Sequence, residues 1–324
     1  MGLGCGFLYL LSRMSYYQIS QVYGLMESLA LWAALGILYC LLRYVDEKGD
    51  GKKYLIQSCV LYFAVCFIHE RYLALLPLIY LAILYKKGKK KAFWFLPAGV
   101  FAVVMAIRVL TTGGVAPAGT GGTNVAETFS VMTSIRYAID QVLYIFGINA
   151  GPGHLSGASW TESPSWIHVQ IIAADLVLLV LVILAVIRVI RDKEGRLKYL
   201  RDISLFLIFI ALCIGASSVT IRVETRWIYV SMTAAYLLAA YLYGMITAKP
   251  EHGKVVDIKR EARKAADKKA GRQSAVLCGG LFLVYIIIMF PVENYYRGQY
   301  PNLYFWADQQ RYNSLAEETY GKYG

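Results

Sequence analysis

The sequence predicts an all-α polytopic membrane protein of about eight or nine hydrophobic helical segments, with a large external loop carrying an interfacial amphipathic helix. Three observations predict it. The chain is 58% hydrophobic and only 17% charged, whereas soluble domains carry about 25% charged residues. Its apolar residues are clustered in blocks close to the ~20 residues that an α-helix needs to cross ~30 Å of hydrocarbon. Finally, the Lys and Arg residues fall into alternate connectors between those blocks. No run alternates apolar and polar residues in the ~10-residue segments of a transmembrane β-barrel, which leaves helices as the spanning structure.

Taken in order, Gly2 to Leu11 is apolar, too short to span, and followed by Arg13; it lacks the basic start and cleavage pattern of a signal peptide. We expect it to be the stump of a helix in a longer protein. The hydrophobic segments are then Val22 to Tyr44, Tyr54 to Ile68, Tyr72 to Tyr85, Ala92 to Leu110, Ile167 to Ile190, Ile203 to Val219, Trp227 to Thr247 and Ala275 to Val292. Tyr54 to Tyr85 reads as two short helices split at His69-Glu70-Arg71, because a central arginine alone costs ~2.5–3.5 kcal/mol on the insertion scale. Each half covers roughly 22 Å, so the pair is expected to stop short of the far surface, with Pro77 kinking the second half.

Charge position sets the expected orientation. The connectors Arg43 to Lys53, Lys86 to Lys91, Arg188 to Arg201 and Lys249 to Arg272 hold 24 of the 33 Lys and Arg residues. By the positive-inside rule these lie in the cytoplasm. The chain is thus expected in the plasma (inner) membrane, with loop 111–166 and the C-terminus external and the basic loop 248–274 cytoplasmic. Residues 1–292 form the multi-helix domain and 293–324 an aromatic-rich external tail, whose tyrosines suit interfacial anchoring or sugar stacking. Within the external loop, TTGGVAPAGTGGTN from Thr111 to Asn124 is a flexible linker without a phosphate-loop Gly-Lys-Ser/Thr. Asn124 and Glu127 resemble a capping box. Val125, Phe129, Met132, Ile135, Ile139, Val142 and Phe146 then mark an amphipathic helix along the outer membrane surface, followed by an irregular loop, Asn149 to Pro164.

The net charge of +12 does not point to nucleic acid. The charge run Asp257 to Arg272 has no interleaved aromatic platform and reads as a solvated helix attractive to anionic membrane lipids. All six cysteines sit in apolar segments, as small buried hydrophobes rather than a disulfide or zinc framework.

Candidate chemistry lies in ionisable groups beside apolar segments on the external side, where burial is costly and tends to mark function. These are Glu27 near a helix start; His69, Glu70 and Arg71 at the break; Arg222, Glu224 and Arg226 in IRVETRW; and Asp140 on the amphipathic helix. Arg71, Arg222 and Arg226 can hold a phosphate or pyrophosphate through forked hydrogen bonds. Glu70 or Glu224 can bind an acceptor or a divalent metal, or act as general base. The structural alternative is that Glu70 pairs with an arginine and Glu224 with Arg222 or Arg226, stabilising hairpin tips. For Glu27 and Asp140 that alternative is a helix-end charge and a solvated face. His69-Glu70 is not an HExxH zinc motif, since Leu73 stands where the second histidine belongs. Asp175 is a packing or pairing residue inside a span, and His154 and His168 are loop and boundary residues.

The segment SQVYGLMESLALWAALGILYCLLRYV, followed by a basic turn and VLYFAVCFIHERYLALLPLIYLAILYKKGKKK, resembles the middle of GT-C membrane glycosyltransferases of the protein-mannosyltransferase and aminoarabinose-transferase type (family 39). RVETRWIYVSMTAAYLLAAYLYG is similar to their late helix. The resemblance implies transfer of a sugar from a polyprenyl-phosphate donor to a glycan, lipid or protein acceptor at the external face, in cell-envelope or surface polysaccharide assembly. Glu70 or Glu224 would be the catalytic base, and Arg71, Arg222 and Arg226 the donor-phosphate contacts, with His69, Glu27 and Asp140 lining the substrate site. Such enzymes carry their principal acidic residue in the first external loop. No acidic residue precedes Glu27 here, so the resemblance implies that an N-terminal portion is missing. Competing readings are a polysaccharide polymerase or ligase, a lipid-linked glycan flippase, for which no internal repeat is visible, and a non-catalytic membrane scaffold.

Overall fold

The computed structural model describes residues 2–12, 22–86, 92–114, 129–150, 159–220, 223–248, 260–298 and 306–323, and among them it is all-helical. In chain order the helices are α1 (Gly2–Leu11), α2 (Val22–Asp46), α3 (Lys52–Ile68), a 3₁₀ turn (Glu70–Leu75), α4 (Leu76–Tyr85), α5 (Ala92–Thr112), α6 (Val131–Ile145), α7 (Ser165–Arg191), α8 (Arg196–Ser218), α9 (Thr225–Thr247), α10 (Arg260–Gly298) and α11 (Trp306–Tyr323). Among the described residues six helices, α2, α5 and α7 to α10, are long and apolar enough to cross a membrane. The chain is a membrane protein. Six is fewer than the eight or nine segments expected, because α1 has 10 residues, α3 has 17 and α4 has 10.

The break at His69 is where the sequence puts it. His69 is extended at φ −152° and ψ 117°, and closes α3 before the 3₁₀ turn reverses the chain. Pro77 corrects an expectation: it lies in the first turn of α4, where its missing N–H has no helical partner to lose and its fixed φ favours the helix. It starts a helix instead of kinking one. At the other end, Gly51 caps α3 at φ 66°, a left-handed conformation that glycine adopts without steric cost. Gly36 lets α2 and α3 close up, since a Cβ there would stand 2.9 Å from Leu61 Cδ1.

The 3₁₀ turn packs on α3 and α8, while α2, α3, α4 and α5 form one half of the bundle; α7, α9, α10 and α1 form the other, with α8 against α9 joining them. One large core holds Ala34, Ile37, Leu41, Tyr62, Leu78, Phe209 and Ile228, and a smaller one holds Ile167, Ile171, Val292 and Tyr296. The outer surface is also apolar. On α7, Ile167, Ile171, Ala174 and Leu181 point inward while Leu176, Leu179, Ile183 and Val186 are exposed, a contiguous apolar surface of the kind that meets lipid.

Helix α6 is amphipathic as predicted, but turned inside out relative to a soluble protein. Met132, Ile135, Ile139, Val142 and Phe146 are exposed, whereas Asp140, Gln141 and Tyr144 are buried against α8 and α9. An exposed apolar stripe beside buried polar groups suits a helix lying at a membrane interface. It begins at Val131, later than the expected start, with the Ser130 side chain accepting from the Thr133 N–H at its N-cap. Asn124, Val125 and Glu127 lie outside the described residues. Helix α10 runs unbroken from the charge run through Val292 to Gly298, so the division drawn at 292 falls inside a helix. The six cysteines are buried and unpaired.

Candidate functional site

Of the residues singled out in the sequence, Glu27, His69, Glu70, Arg71, Glu224 and Arg226 gather at one end of the bundle, which is built from the start of α2, the His69 break, the end of α5 and the start of α9. Glu27 lies one turn inside α2 and is only 2% exposed. It is therefore not a helix-end charge. Arg71 Nη2 donates to Glu27 Oε2 at 2.6 Å and to the Tyr72 hydroxyl at 3.2 Å. The Tyr229 hydroxyl donates to the Glu27 carbonyl oxygen, and its oxygen lies 3.0 Å from Glu27 Oε2. Arg71 also stands over the Tyr72 and Tyr229 rings, at 5.0 and 5.8 Å from their centroids, a cation–π arrangement. A buried carboxylate and guanidinium are thus neutralised and wrapped by two tyrosines from different helices, as burial of charge requires.

Around this core lie two more accessible ion pairs. Glu70, 25% exposed, pairs with Arg108 near the end of α5, and Glu224, 16% exposed, pairs with Arg226, itself 28% exposed. For these carboxylates the pairing named as the structural alternative is what the structure contains. Arg108 and Tyr229 extend the site beyond the residues predicted from sequence. Arg222 lies outside the described residues. Among the described residues no group of three or more His, Cys, Asp or Glu side chains is arranged to hold a metal ion.

His69 ties the cluster together. Its Nε2 is 3.7 Å from Glu27 Oε1, a contact that by itself would favour the cation. Burial, together with the charges of Arg71 and Arg226, outweighs it and pushes the imidazole down from 6.5 to about 3; the Glu27 charge is already taken up by Arg71. The sign of the resulting pH dependence follows from proton uptake. Between pH 6.5 and about 3 the unfolded chain holds a proton on His69 that the folded chain does not, so stability falls as pH drops through that window and is unaffected above it. We expect the melting temperature to fall between pH 7.5 and 5, and the fall to be smaller in His69→Gln. Equal falls in thermal scans of the two proteins would show that the imidazole is not held neutral.

Asp140 is a separate matter. It is buried, not on a solvated face, and its Oδ2 has no hydrogen-bond partner among the described residues. Burial pushes its carboxyl up, with Arg136 opposing. Its neighbour Gln141 docks α6 on α8: Gln141 Nε2 donates to Ser218 Oγ at 2.8 Å and Ser217 Oγ donates to Gln141 Oε1 at 2.6 Å. Asp175 is half-buried on α7. His168, in the first turn of α7, stacks on Trp160 with centroids 4.0 Å apart, and His154 lies outside the described residues.

The fold and this charged end define an all-helical polytopic membrane protein whose bundle closes, at one end, over a buried ionic cluster. No protein-family model, curated protein or solved structure matches the chain.

Proposed function

We propose that the chain is a membrane glycosyltransferase that works at the His69 end of its bundle, and that this end faces outward, a reading supported by the basic connectors at the other end. It moves a sugar from a polyprenyl-phosphate donor to a glycan, lipid or protein acceptor in envelope assembly. The observation that carries this reading is that three carboxylate–arginine pairs, Glu27 with Arg71, Glu70 with Arg108 and Glu224 with Arg226, gather from separate stretches of chain at one end of an apolar bundle, where ionisable groups tend to mark a substrate site.

The accessibilities divide the roles. Glu27 and Arg71 are enclosed and act as positioning residues, holding the break, α2 and α9 in register. Arg226 is the accessible cation and contacts the donor phosphate. Glu70 is the more exposed carboxylate and serves as base, with Glu224 the other candidate. In the reaction the acceptor hydroxyl oxygen forms a bond to the anomeric carbon and gives its proton to the carboxylate. The bond from the anomeric carbon to phosphate oxygen breaks, and polyprenyl phosphate leaves with the electron pair, its charge met by Arg226.

The test is turnover of radiolabelled polyprenyl-phosphate sugars by the purified protein in phospholipid vesicles. Glu70→Gln is expected to slow turnover about a hundredfold, in the range of a lost general base, and Arg226→Ala to raise KM for the donor. Turnover of no donor, or turnover indifferent to both substitutions, would favour the scaffold reading.

A further inference from the structure

Further along α9 from Tyr229 lies a cavity of about 190 Å³, walled mainly by α7, α9 and α10 and completed by α1 and the end of α6. It runs from Met232 to Leu242, ten residues or about 15 Å along the helix axis. We propose that it holds one acyl chain of a bilayer phospholipid. This goes beyond the proposed transferase activity and does not depend on it.

The space exists because of small side chains. Ala235 and Ala239 lie one turn apart on α9 and both face the cavity, so the helix offers little bulk where α7 and α10 stand off. Its other walls are mostly apolar, with residues such as Leu178, Leu181 and Phe282, which offer no hydrogen bond to water; the Cys5 thiol that also lines it donates to the Tyr236 carbonyl. Apolar cavities of comparable size, ~150 Å³, stay dry and take up apolar guests. Helices α7, α9 and α10, which supply most of the lining, are membrane-spanning by length and composition, with Cys5 and Leu8 of α1 and Ile145 of α6 completing it, so the guest available at this depth is hydrocarbon.

The cavity also has a mouth that suits a lipid. Phe146 and Val182 line it and are both exposed. Phe146 ends the apolar stripe of α6, so a lipid lying along that interfacial helix has its chain at the lip. Above the cavity the rings Trp160, His168, Trp166 and Tyr295 pair on one another, the aromatic belt found at headgroup level. About 190 Å³ drawn out over ~15 Å is a narrow slot, which fits an unbranched methylene chain better than a methyl-branched isoprenoid.

The experiment uses the full chain in phosphatidylcholine vesicles containing a trace of the same lipid with a diazirine on its acyl chain, irradiated and mapped by peptide mass spectrometry. Adducts are expected on Ala235, Ala239 and Phe282 as well as on the lipid-facing Leu179 and Ile183. Ala239→Phe should cut the cavity adducts about tenfold, since a filled interior leaves no room for a guest, and leave those on Leu179 and Ile183 unchanged. Ala235→Leu, a smaller addition, should give an intermediate loss. Adducts confined to Leu179 and Ile183 in the unsubstituted chain would overturn the proposal. So would displacement of the cavity adducts by a polyprenyl phosphate, which would assign the slot to an isoprenoid. Neither readout involves sugar transfer, so a protein inactive on every donor still tests it.

Discussion

Arg71→Ala is expected to destabilise the protein by roughly 3–5 kcal/mol, the range for breaking a buried ion pair from one side. The cost comes from what stays behind. Glu27 is 2% exposed, and without Arg71 its carboxylate has, among the described residues, only the Tyr229 hydroxyl close by, whose proton it would share with the Glu27 carbonyl. The nearest replacement cation would be His69, which burial and the remaining Arg226 keep neutral. The start of α2 then has to separate from the 3₁₀ turn to admit water to the carboxylate. Removing both charges should be much milder. In Glu27→Leu/Arg71→Met no uncompensated charge remains, and replacing a buried pair by apolar residues of similar volume is often neutral or better. Chemical unfolding in detergent micelles measures both. A loss below about 1 kcal/mol for Arg71→Ala, the range of an exposed pair, would show that water reaches Glu27 and that the cluster is not closed.

This cluster shows what was legible in the sequence. The break at His69-Glu70-Arg71 could be read because three ionisable residues interrupt an apolar run, and the expense of burying them forces a local solution. Glu27 stood out for the same reason. Their pairing could not be read. Arg71 is 44 residues from Glu27, and whether it turns to Glu27, Glu70 or Glu224 depends on how α2 packs beside the 3₁₀ turn. Tyr229 gave no signal at all, being one of 26 tyrosines in a segment that reads as ordinary apolar helix. Arg108 did give one, as a lone charge near the end of an apolar block, but nothing local distinguishes a partner for Glu70 from a residue reaching the surface.

The amphipathic helix was legible by its period, and its inside-out burial follows from the same pattern once lipid replaces water outside. The cavity was not legible. Ala235 and Ala239 are good helix residues wherever they occur, and the space beside them is set by side chains on two other helices.

At the opposite end of the bundle a second buried carboxylate makes a second strong expectation. Arg201 Nε and Nη2 both donate to Asp202 Oδ1, at 2.9 and 2.8 Å, while Nη1 donates to the Val45 carbonyl at 3.2 Å and Nη2 also meets Asp46. Asp202 is 2% exposed and its Oδ2 accepts from the Tyr241 hydroxyl at 2.9 Å. One guanidinium therefore joins α8 to the end of α2, and the carboxylate it neutralises joins α8 to α9. Arg201→Ala leaves Asp202 buried with the Tyr241 hydroxyl as its one donor among the described residues, and we expect a loss of about 3 kcal/mol. Arg201→Lys should recover only part of it, because an ammonium is a point charge and cannot hold Asp202, Asp46 and Val45 with one fork. Asp46→Asn should cost at most about 1 kcal/mol, as for an exposed pair, since Asp46 is 36% exposed and Arg201 keeps its pairing with Asp202 when the Asp46 charge is lost. Unfolding measurements should thus rank Arg201→Ala above Arg201→Lys and both above Asp46→Asn. If Asp46→Asn cost as much as Arg201→Ala, the stability would reside in the α2 contact and not in neutralising Asp202. The buried carboxylate would then be a consequence of the bundle's closure at this end and not its cause.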